Sequence, residues 1–434
     1  MNTLNDFEVF YQKITATSSR LDKEAILKNY QEHTGVKEVL HFLFNPFIVT
    51  GISERKLAKN INIAAQKCEN LHALLNYFKV HNTGRDEDIA VLKTFTSDLT
   101  DSQIKLVNGL IKKDLTLGAS EKTLNKVFGA GFIPAFDVML AEKYVENTAF
   151  VEGKRFIVTE KLDGVRCMLI FNDAGEPTFF SRAGKPFEDM IELAEEVKQL
   201  NPQMVYDGEL LLSVNQPINS ADLYRMTVKV TAKDGVKQGL IYNVFDALPK
   251  SDLLNGGCAT PCEKRKAELS AELQKIALPH LKEVPILYVG DDIKQIDILC
   301  DEYTNMGREG VMVNVAGAPY ECKRTKNLLK VKRFNTADVR VLDWEEGTGA
   351  NKGKLGAVIV EFIAPDEKKY TCKVGSGFAK EEREYFFANP DKIVGHIIEV
   401  GYFELSQNQK DNAYSLRFPT FKCLRDDKNE ISMH

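Results

Sequence analysis

Several short, mostly apolar stretches of this 434-residue chain carry charged or aromatic residues two positions apart. On a β-strand, residues two apart point the same way. In RFIVTEK this aligns Ile157, Thr159 and Lys161, and in MVYDGELLL it aligns Asp207 and Glu209. In GLIYNVFD it aligns Ile241, Asn243 and Phe245, and in LLKVK it aligns Lys330 and Lys332. Three lysines, several carboxylates and a phenylalanine on sheet surfaces suit a nucleotide. Cations meet phosphates, a carboxylate meets ribose hydroxyls, and a ring meets the base. A lysine in such a place is also a candidate nucleophile, once desolvation or nearby cations offset its usual pKa of about 10.4. One such strand is ordinarily a solvated strand end; four together are not.

The elements that must carry these residues can be read from periodicity. Up to Gly129 the chain reads as helical, since ISERKLAKNINIAAQKCENLHALLNYF and DSQIKLVNGLIKKDL space apolar residues by three and four. Ser53 and Thr100 or Asp101 suit helix starts, and Gly35, Pro46, Gly51, Gly84 and Gly118 read as breaks between short helices. From about Phe132 the period changes to short strand-like runs bounded by Gly, Asp, Asn or Pro, with helical stretches such as MIELAEEVKQL and PCEKRKAELSAELQKIA between them. That pattern predicts an α+β domain built on antiparallel sheets. After Phe334 the runs DVRVLDWEEG, GAVIVEFIA, KKYTCKVG and IIEVGYFEL have spacings that suit a small β-barrel. The expected architecture is multidomain, as the length favours: an all-α domain over 1–129, an α+β domain over 130–334 and a β-barrel over 335–434.

Composition adds limits. The formal net charge is −5, divided as +2, −4 and −3 over the three expected domains. Nucleic-acid contact must therefore come from local patches, of which Glu321 to Arg333 is the densest basic stretch. The adjacent lysines Lys112 and Lys113 are expected on a solvated helix face. The eight cysteines are scattered and the seven histidines lack ligand spacing, so a structural zinc site is not expected. No apolar run approaches the roughly 18–20 residues of a membrane span. The opening MNTLNDFEVFYQKI lacks the basic and apolar regions of a signal peptide, so a cytoplasmic protein is expected, in the host cell if viral.

The motifs then fall into a known order. Lys161-Leu162-Asp163-Gly164-Val165-Arg166 resembles the KxDGxR signature of covalent nucleotidyltransferases, the polynucleotide ligases and messenger-RNA capping enzymes. Ser181-Arg182-Ala183-Gly184 is similar to their SRxG element and Asp207-Gly208-Glu209 to their DGE element. Tyr242 to Asp246 looks like the strand of the base-stacking aromatic, Glu309 to Val313 like the EGxxx strand, and Leu329-Lys330-Val331-Lys332 like LKxK. Arg417-Phe418-Pro419 and Arg425-Asp426-Asp427-Lys428 match RFP and RxDK. LTLGASEKTLNKVFG, FDVMLA and KVGSGFAKEER resemble further ligase segments. The whole set resembles ATP-dependent DNA ligases, closest in style to bacteriophage-type ligases, with a helical DNA-binding domain, an adenylation domain and an OB-fold.

That resemblance implies a reaction and a cast. Lys161 would attack ATP to give lysyl–AMP; the AMP would pass to the 5′-phosphate of a nick, and the 3′-hydroxyl would displace it. Arg166, Lys330 and Lys332 would clamp the α-phosphate, and Arg182 would contact the AMP moiety or the nick phosphate. Glu209 would bind the ribose, Phe245 would stack on adenine, and Thr159 stands where the family often reads the adenine amino group with Glu or Gln. Glu209 and Glu309 would hold Mg²⁺, with Mn²⁺ able to substitute. Arg417, Arg425, Asp427 and Lys428 would close over the β- and γ-phosphates, with Asn335 to Asp338 as hinge. The implied partner is nicked double-stranded DNA, the implied state a monomer, and the implied processes replication, repair and recombination. An RNA ligase, a capping guanylyltransferase and a non-catalytic nick-binding protein are the alternatives; the first two fit the helical N-terminus poorly, and the third predicts loss of the lysine or its clamp.

Overall fold

The computed structural model describes residues 3–433 except Pro217, Asn219, Asp234, Ala277, Phe334, Glu404 and 408–412. The chain divides into two compact units, residues 1–331 and 332–434. The expected boundary residue Phe334 lies outside the described residues.

The first unit begins with eight helices: α1 (Thr3–Thr15), α2 (Arg20–Asn29), α3 (Thr34–Phe44), α4 (Glu54–Leu57), α5 (Leu71–Val80), α6 (Asp86–Thr96), α7 (Asp101–Lys112) and α8 (Glu121–Phe128). Their apolar stripes meet in one core around Phe7, Phe10, Leu40, Leu75, Phe78, Val107 and Leu110. Thr100 starts α7 through a capping box with Gln103. Two local expectations change. Gly35 sits in the first turn of α3 and does not break it. The periodic stretch through 52–78 is not one helix, because 58–70 is irregular. It is rich in Asn, whose side chains compete for backbone bonds, and Asn70 instead caps α5 by accepting from the Ala73 N–H at 2.9 Å.

Of the adjacent lysines expected on a solvated face, Lys112 makes surface ion pairs, whereas Lys113 departs from expectation. Lys112 pairs with Glu54 at 2.5 Å and Asp114 at 2.7 Å. Lys113 ends α7 in the left-handed region, at φ 60°. Its ammonium donates to the carbonyls of Asn45 and, at 2.7 Å, Ile48, and burial pushes its pKa down to about 7.

Next come two five-stranded sheets. Their strands are β1 (Leu140–Lys143), β2 (Phe156–Glu160), β3 (Val165–Phe171), β4 (Pro177–Ser181), β5 (Met204–Leu212), β6 (Leu240–Pro249), β8 (Leu281–Glu283), β9 (Ile286–Gly290), β10 (Val311–Val315) and β12 (Arg324–Val331); the short β7 (Gly257–Cys258) and β11 (Tyr320–Glu321) pair separately. The first sheet has the order β1-β12-β10-β2-β9 and the second β4-β3-β5-β6-β8. Pairing is antiparallel as expected, except for β1 with β12 and β6 with β8, which are parallel. Helices α9 (Thr148–Val151), α10 (Ile191–Glu196), α11 (Ser220–Ala232), α12 (Lys250–Leu254), α13 (Cys262–Leu273) and α14 (Lys294–Asn305) connect them.

Alternation decides which side chains meet. One face of the first sheet (Phe156, Val158, Val311, Val313, Leu329, Val331) packs with Ile296 and Cys300 of α14. Between the two sheets lie Met312 and Leu328 of the first with Met168, Ile170, Val205 and Leu248 of the second. The helical segment docks on β4 through the rings of Phe47, Phe136 and Phe180, with centroids 5.2–6.5 Å apart. Asn82 donates to Thr178 Oγ1 at 2.6 Å and Asn172 to the Val80 carbonyl at 2.9 Å.

The second unit is a sheet of β13 (Asn335–Glu346), β14 (Leu355–Ile363), β15 (Lys369–Val374), β16 (Ile397–Tyr402) and β19 (Thr420–Leu424), in the order β15-β14-β13-β16-β19. A hairpin of β17 (Leu405–Gln407) and β18 (Tyr414–Leu416), the strand β20 (Ser432–Met433) on β13 and the helix α15 (Lys380–Ala388) complete it. The stretch Asn335–Asp338, expected as a hinge, forms the start of β13, paired with β16, and Ala337 and Asp338 also pair with β20.

Candidate active site

The residues singled out in β2, β3, β5, β6 and β12 converge on the space between the two sheets. On the first sheet Thr159, Met312 and Lys330 are direct neighbours across β2, β10 and β12, so they share a face. Lys161 follows on that face, its backbone N–H donating to the Gly310 carbonyl at 2.9 Å. Glu160 takes the opposite face as parity demands, 3.6 Å from Arg308, and burial raises its carboxyl pKa. On the second sheet Arg166, Asp207, Glu209 and Phe245 come from three adjacent strands, with Arg166 directly opposite Glu209.

Lys161 is only partly exposed, and its ammonium contacts the carboxylate of Glu309, which is 4% exposed. The nearest partner of the candidate nucleophile is thus an anion. Arg166 is also engaged: its Nε and Nη2 fork onto Asp207 at 2.5 and 2.6 Å, and its guanidinium lies 4.7 Å from the Phe245 ring centroid. Asp207 has no exposed side-chain surface. Glu209 differs, because its carboxylate makes no hydrogen bond or ion pair among the described residues. Loss of water raises its pKa to about 7, a rise opposed by Arg166 and Lys161 and reinforced by Glu309 and Asp207. Gly164 lets the loop between β2 and β3 approach β5: a Cβ there would strike the Leu210 carbonyl and come within 2.7 Å of Glu209 Cγ.

Of the other expected residues, Arg182 belongs to the first unit and the rest to the second. Arg182 is exposed on the turn after β4. Lys332 belongs to the second unit, its ammonium 4.5 Å from the Phe403 ring centroid. Arg417 stacks at 5.6 Å on Phe403 and 5.2 Å on Phe418 in that unit. Arg425 bonds Asp427 twice at 2.8 Å, Asp338 at 3.0 Å and Glu399 at 3.1 Å, and Lys428 also pairs with Asp338.

Sequence reasoning missed Tyr320, Arg265 and Lys266. The buried Tyr320 hydroxyl donates to Asp207 at 2.7 Å and accepts from the Met139 N–H at 3.2 Å. Arg265 forks onto Asp246, both bonds 2.8 Å, and Lys266 donates to the Phe245 carbonyl at 2.6 Å. The available signal was Asp246: a carboxylate in an apolar strand needs a buried partner.

Two domain families match this chain. Residues 138–332 match the ATP dependent DNA ligase domain, and residues 346–425 match the DNA ligase OB-like domain. The chain belongs to the ATP-dependent DNA ligase family. The match to the adenylation part of that family covers both sheets and Lys161, and the OB-like match covers most of the second unit. A DNA ligase of Archaeoglobus fulgidus is 28% identical over 319 residues, 67% of this chain and 56% of that protein. A DNA ligase of Enterobacteria phage T6 is 23% identical over 399 residues, 79% of this chain and 80% of that protein. The match spans only a little over half the length of the first curated relatives, 54–56%. A solved structure named Pmar-Lig_PreS3 superposes with a TM-score of 0.62 at 27% identity, covering 96% of this chain and 99% of that one. No helix among the described residues is long and apolar enough to cross a membrane.

Proposed function

We propose that the protein seals nicks in duplex DNA with ATP, using Lys161 as the nucleophile that carries AMP. The observation that carries this reading is the inter-sheet cleft, where Lys161 faces Glu309, Glu209, Lys330 and the Arg166–Phe245 pair. The amine attacks the α-phosphorus, the bond to pyrophosphate breaks, and AMP remains on Nζ as a phosphoramidate. The AMP moves to the 5′-phosphate of the nick, and the 3′-hydroxyl then joins the strands and releases AMP. Attack requires the neutral amine with its lone pair turned to the α-phosphorus, so a proton must leave Lys161 before or during bond formation.

The other roles follow the geometry. Phe245 is the stacking surface for adenine, with Arg166 fixed behind it by Asp207 as a support for the ring as well as a cation near the phosphates. Thr159 would read the base, and Glu209, whose carboxylate has no hydrogen-bond partner among the described residues, would meet the ribose. Lys330, with Lys332 from the second unit, holds the α-phosphate, and Arg182 meets AMP or the nick. Glu209 and Glu309 are two hard carboxylates, which suits Mg²⁺, an ion that takes one or two carboxylates and completes its shell with phosphate and water. Bound there, Mg²⁺ would neutralise phosphate charge. Arg417, Arg425, Asp427 and Lys428 would serve the β- and γ-phosphates.

The proposed organisation is an all-α DNA-binding domain over 1–129, an adenylation domain over 130–334 and an OB-fold barrel over 335–434. Barrel closure is supported by the bridge from Ser376, just after β15, to Thr420 of β19, which draws the two edges of the sheet together. We propose nicked duplex DNA as partner, a monomer as working form, the cytoplasm as location, and replication, repair and recombination as the processes served.

The test is label transfer. With Mg²⁺ and ATP labelled in the α-phosphate, the denatured protein should retain acid-labile, alkali-stable label that nicked DNA discharges into joined strands, and Lys161→Ala should retain none. Label from GTP would indicate a capping reaction instead, discharge only onto nicked RNA an RNA ligase, and no label a nick-binding protein.

A further inference from the structure

We infer that Lys266 is a positioning residue for the nucleotide base: it fixes the backbone beneath the Phe245 ring and so governs affinity for ATP. The inference rests on the proposed stacking of adenine on Phe245. Strands β5 and β6 pair regularly from Leu212 with Leu240 to Gly208 with Val244, and pairing resumes at Asp207 with Asp246. Phe245 is therefore one residue too many, the extra residue of a β-bulge. A bulge re-aims side chains and leaves a backbone group outside the ladder. By alternation Asn243 before it and Leu248 after it both face the first sheet, so Phe245 and Asp246 are consecutive residues turned to the same side.

Such a bulge survives only where something else holds it. Lys266, 5% exposed, donates its ammonium to the Phe245 carbonyl at 2.6 Å. The preceding residue, Arg265, forks onto the Asp246 carboxylate. Two consecutive side chains near the start of α13 thus fasten two consecutive residues of the bulge, while Arg166 holds the ring from its face. Without the Lys266 bond a carbonyl is left without its donor. A slip of the strand into regular pairing would then turn one of the two side chains away from the cleft.

The test is steady-state and single-turnover adenylylation of Lys161 by ATP in the full-length protein. Lys266→Met should raise the KM for ATP about tenfold while leaving the maximal rate within about twofold, and Lys266→Arg, which keeps a charged donor, should recover most of the affinity. In a Phe245→Ala background Lys266→Met should add almost nothing, because both changes act through one ring. If Lys266→Met does not yield folded protein, Lys266→Gln carries the same comparison. A parental KM in Lys266→Met (or Lys266→Gln), or its full factor multiplying onto Phe245→Ala, overturns the inference. If Phe245→Ala itself leaves the KM unchanged, the stacking reading fails first and the role of Lys266 falls with it, an outcome distinct from failure of Lys266 alone.

Discussion

Glu209 is the residue whose chemistry can be isolated most cleanly. Its carboxyl pKa is pushed up to about 7 from an ordinary 4.5, because folding removes water and no hydrogen bond from the described residues offsets that loss. A raised carboxyl pKa means that the folded state holds its proton longer than the unfolded chain. The associated stability is complete below pH 4.5 and is lost as the pH rises from 4.5 through 7. Glu209→Gln removes the ionisation and should therefore stabilise the nucleotide-free protein at pH 8, by about 3 kcal/mol at most, and leave it unchanged at pH 4. Thermal unfolding at the two pH values checks this; equal shifts at both would show that the carboxyl is not desolvated. The substitution should still weaken the use of ATP, since the unpartnered oxygen is also the one assigned to the ribose.

Among the elements, the closest fit is between the β2–β3 loop and β5. Gly164→Ala would drive a methyl group into the Leu210 carbonyl and against Glu209. We expect at least a tenfold loss of Lys161 adenylylation, order-of-magnitude, with the far-ultraviolet circular dichroism unchanged. Full activity of that variant would mean that the loop is not held against β5. This is also the scale at which the sequence was most and least informative. Period-two patterning located β2, β3, β5, β6, β10 and β12 and put Lys161, Glu209 and Phe245 on the facing sides, because alternation is a local property of the backbone. It could not show the bulge at Phe245, which depends on how β6 registers with β5. Nor could it show that Lys266 and Lys113 cap carbonyls from other elements: in CEKRKAEL and LIKKDL they look like solvated charges, and only tertiary packing distinguishes the two. The KxDGxR spacing marked Arg166, but not that Asp207 and Phe245 would hold it.

At the scale of the molecule, the second unit has a core of its own, with Val339, Val360, Phe362, Ile398 and Val400 fully buried. Residues 332–434 expressed alone should melt cooperatively, and a gradual loss of signal on heating would refute their independence. Residues 1–331 should keep the inter-sheet cleft yet lose at least tenfold in Lys161 adenylylation, because Lys332 and the motif residues Arg417 to Lys428 are missing; an undiminished rate would remove those residues from the first step. The order of strands in the sheet that carries Lys161 has a consequence of another kind. The neighbours of β2 are β9 and β10, and Glu309 lies 148 residues beyond Lys161. On a ribosome adding roughly 5–20 residues per second, β2 therefore waits roughly 6–26 s for β9 and roughly 8–31 s for β10. The second sheet, whose β3, β4 and β5 are near neighbours in sequence, can assemble during that delay, so a nascent chain carries one wall of the cleft before the sheet that holds β2 can close.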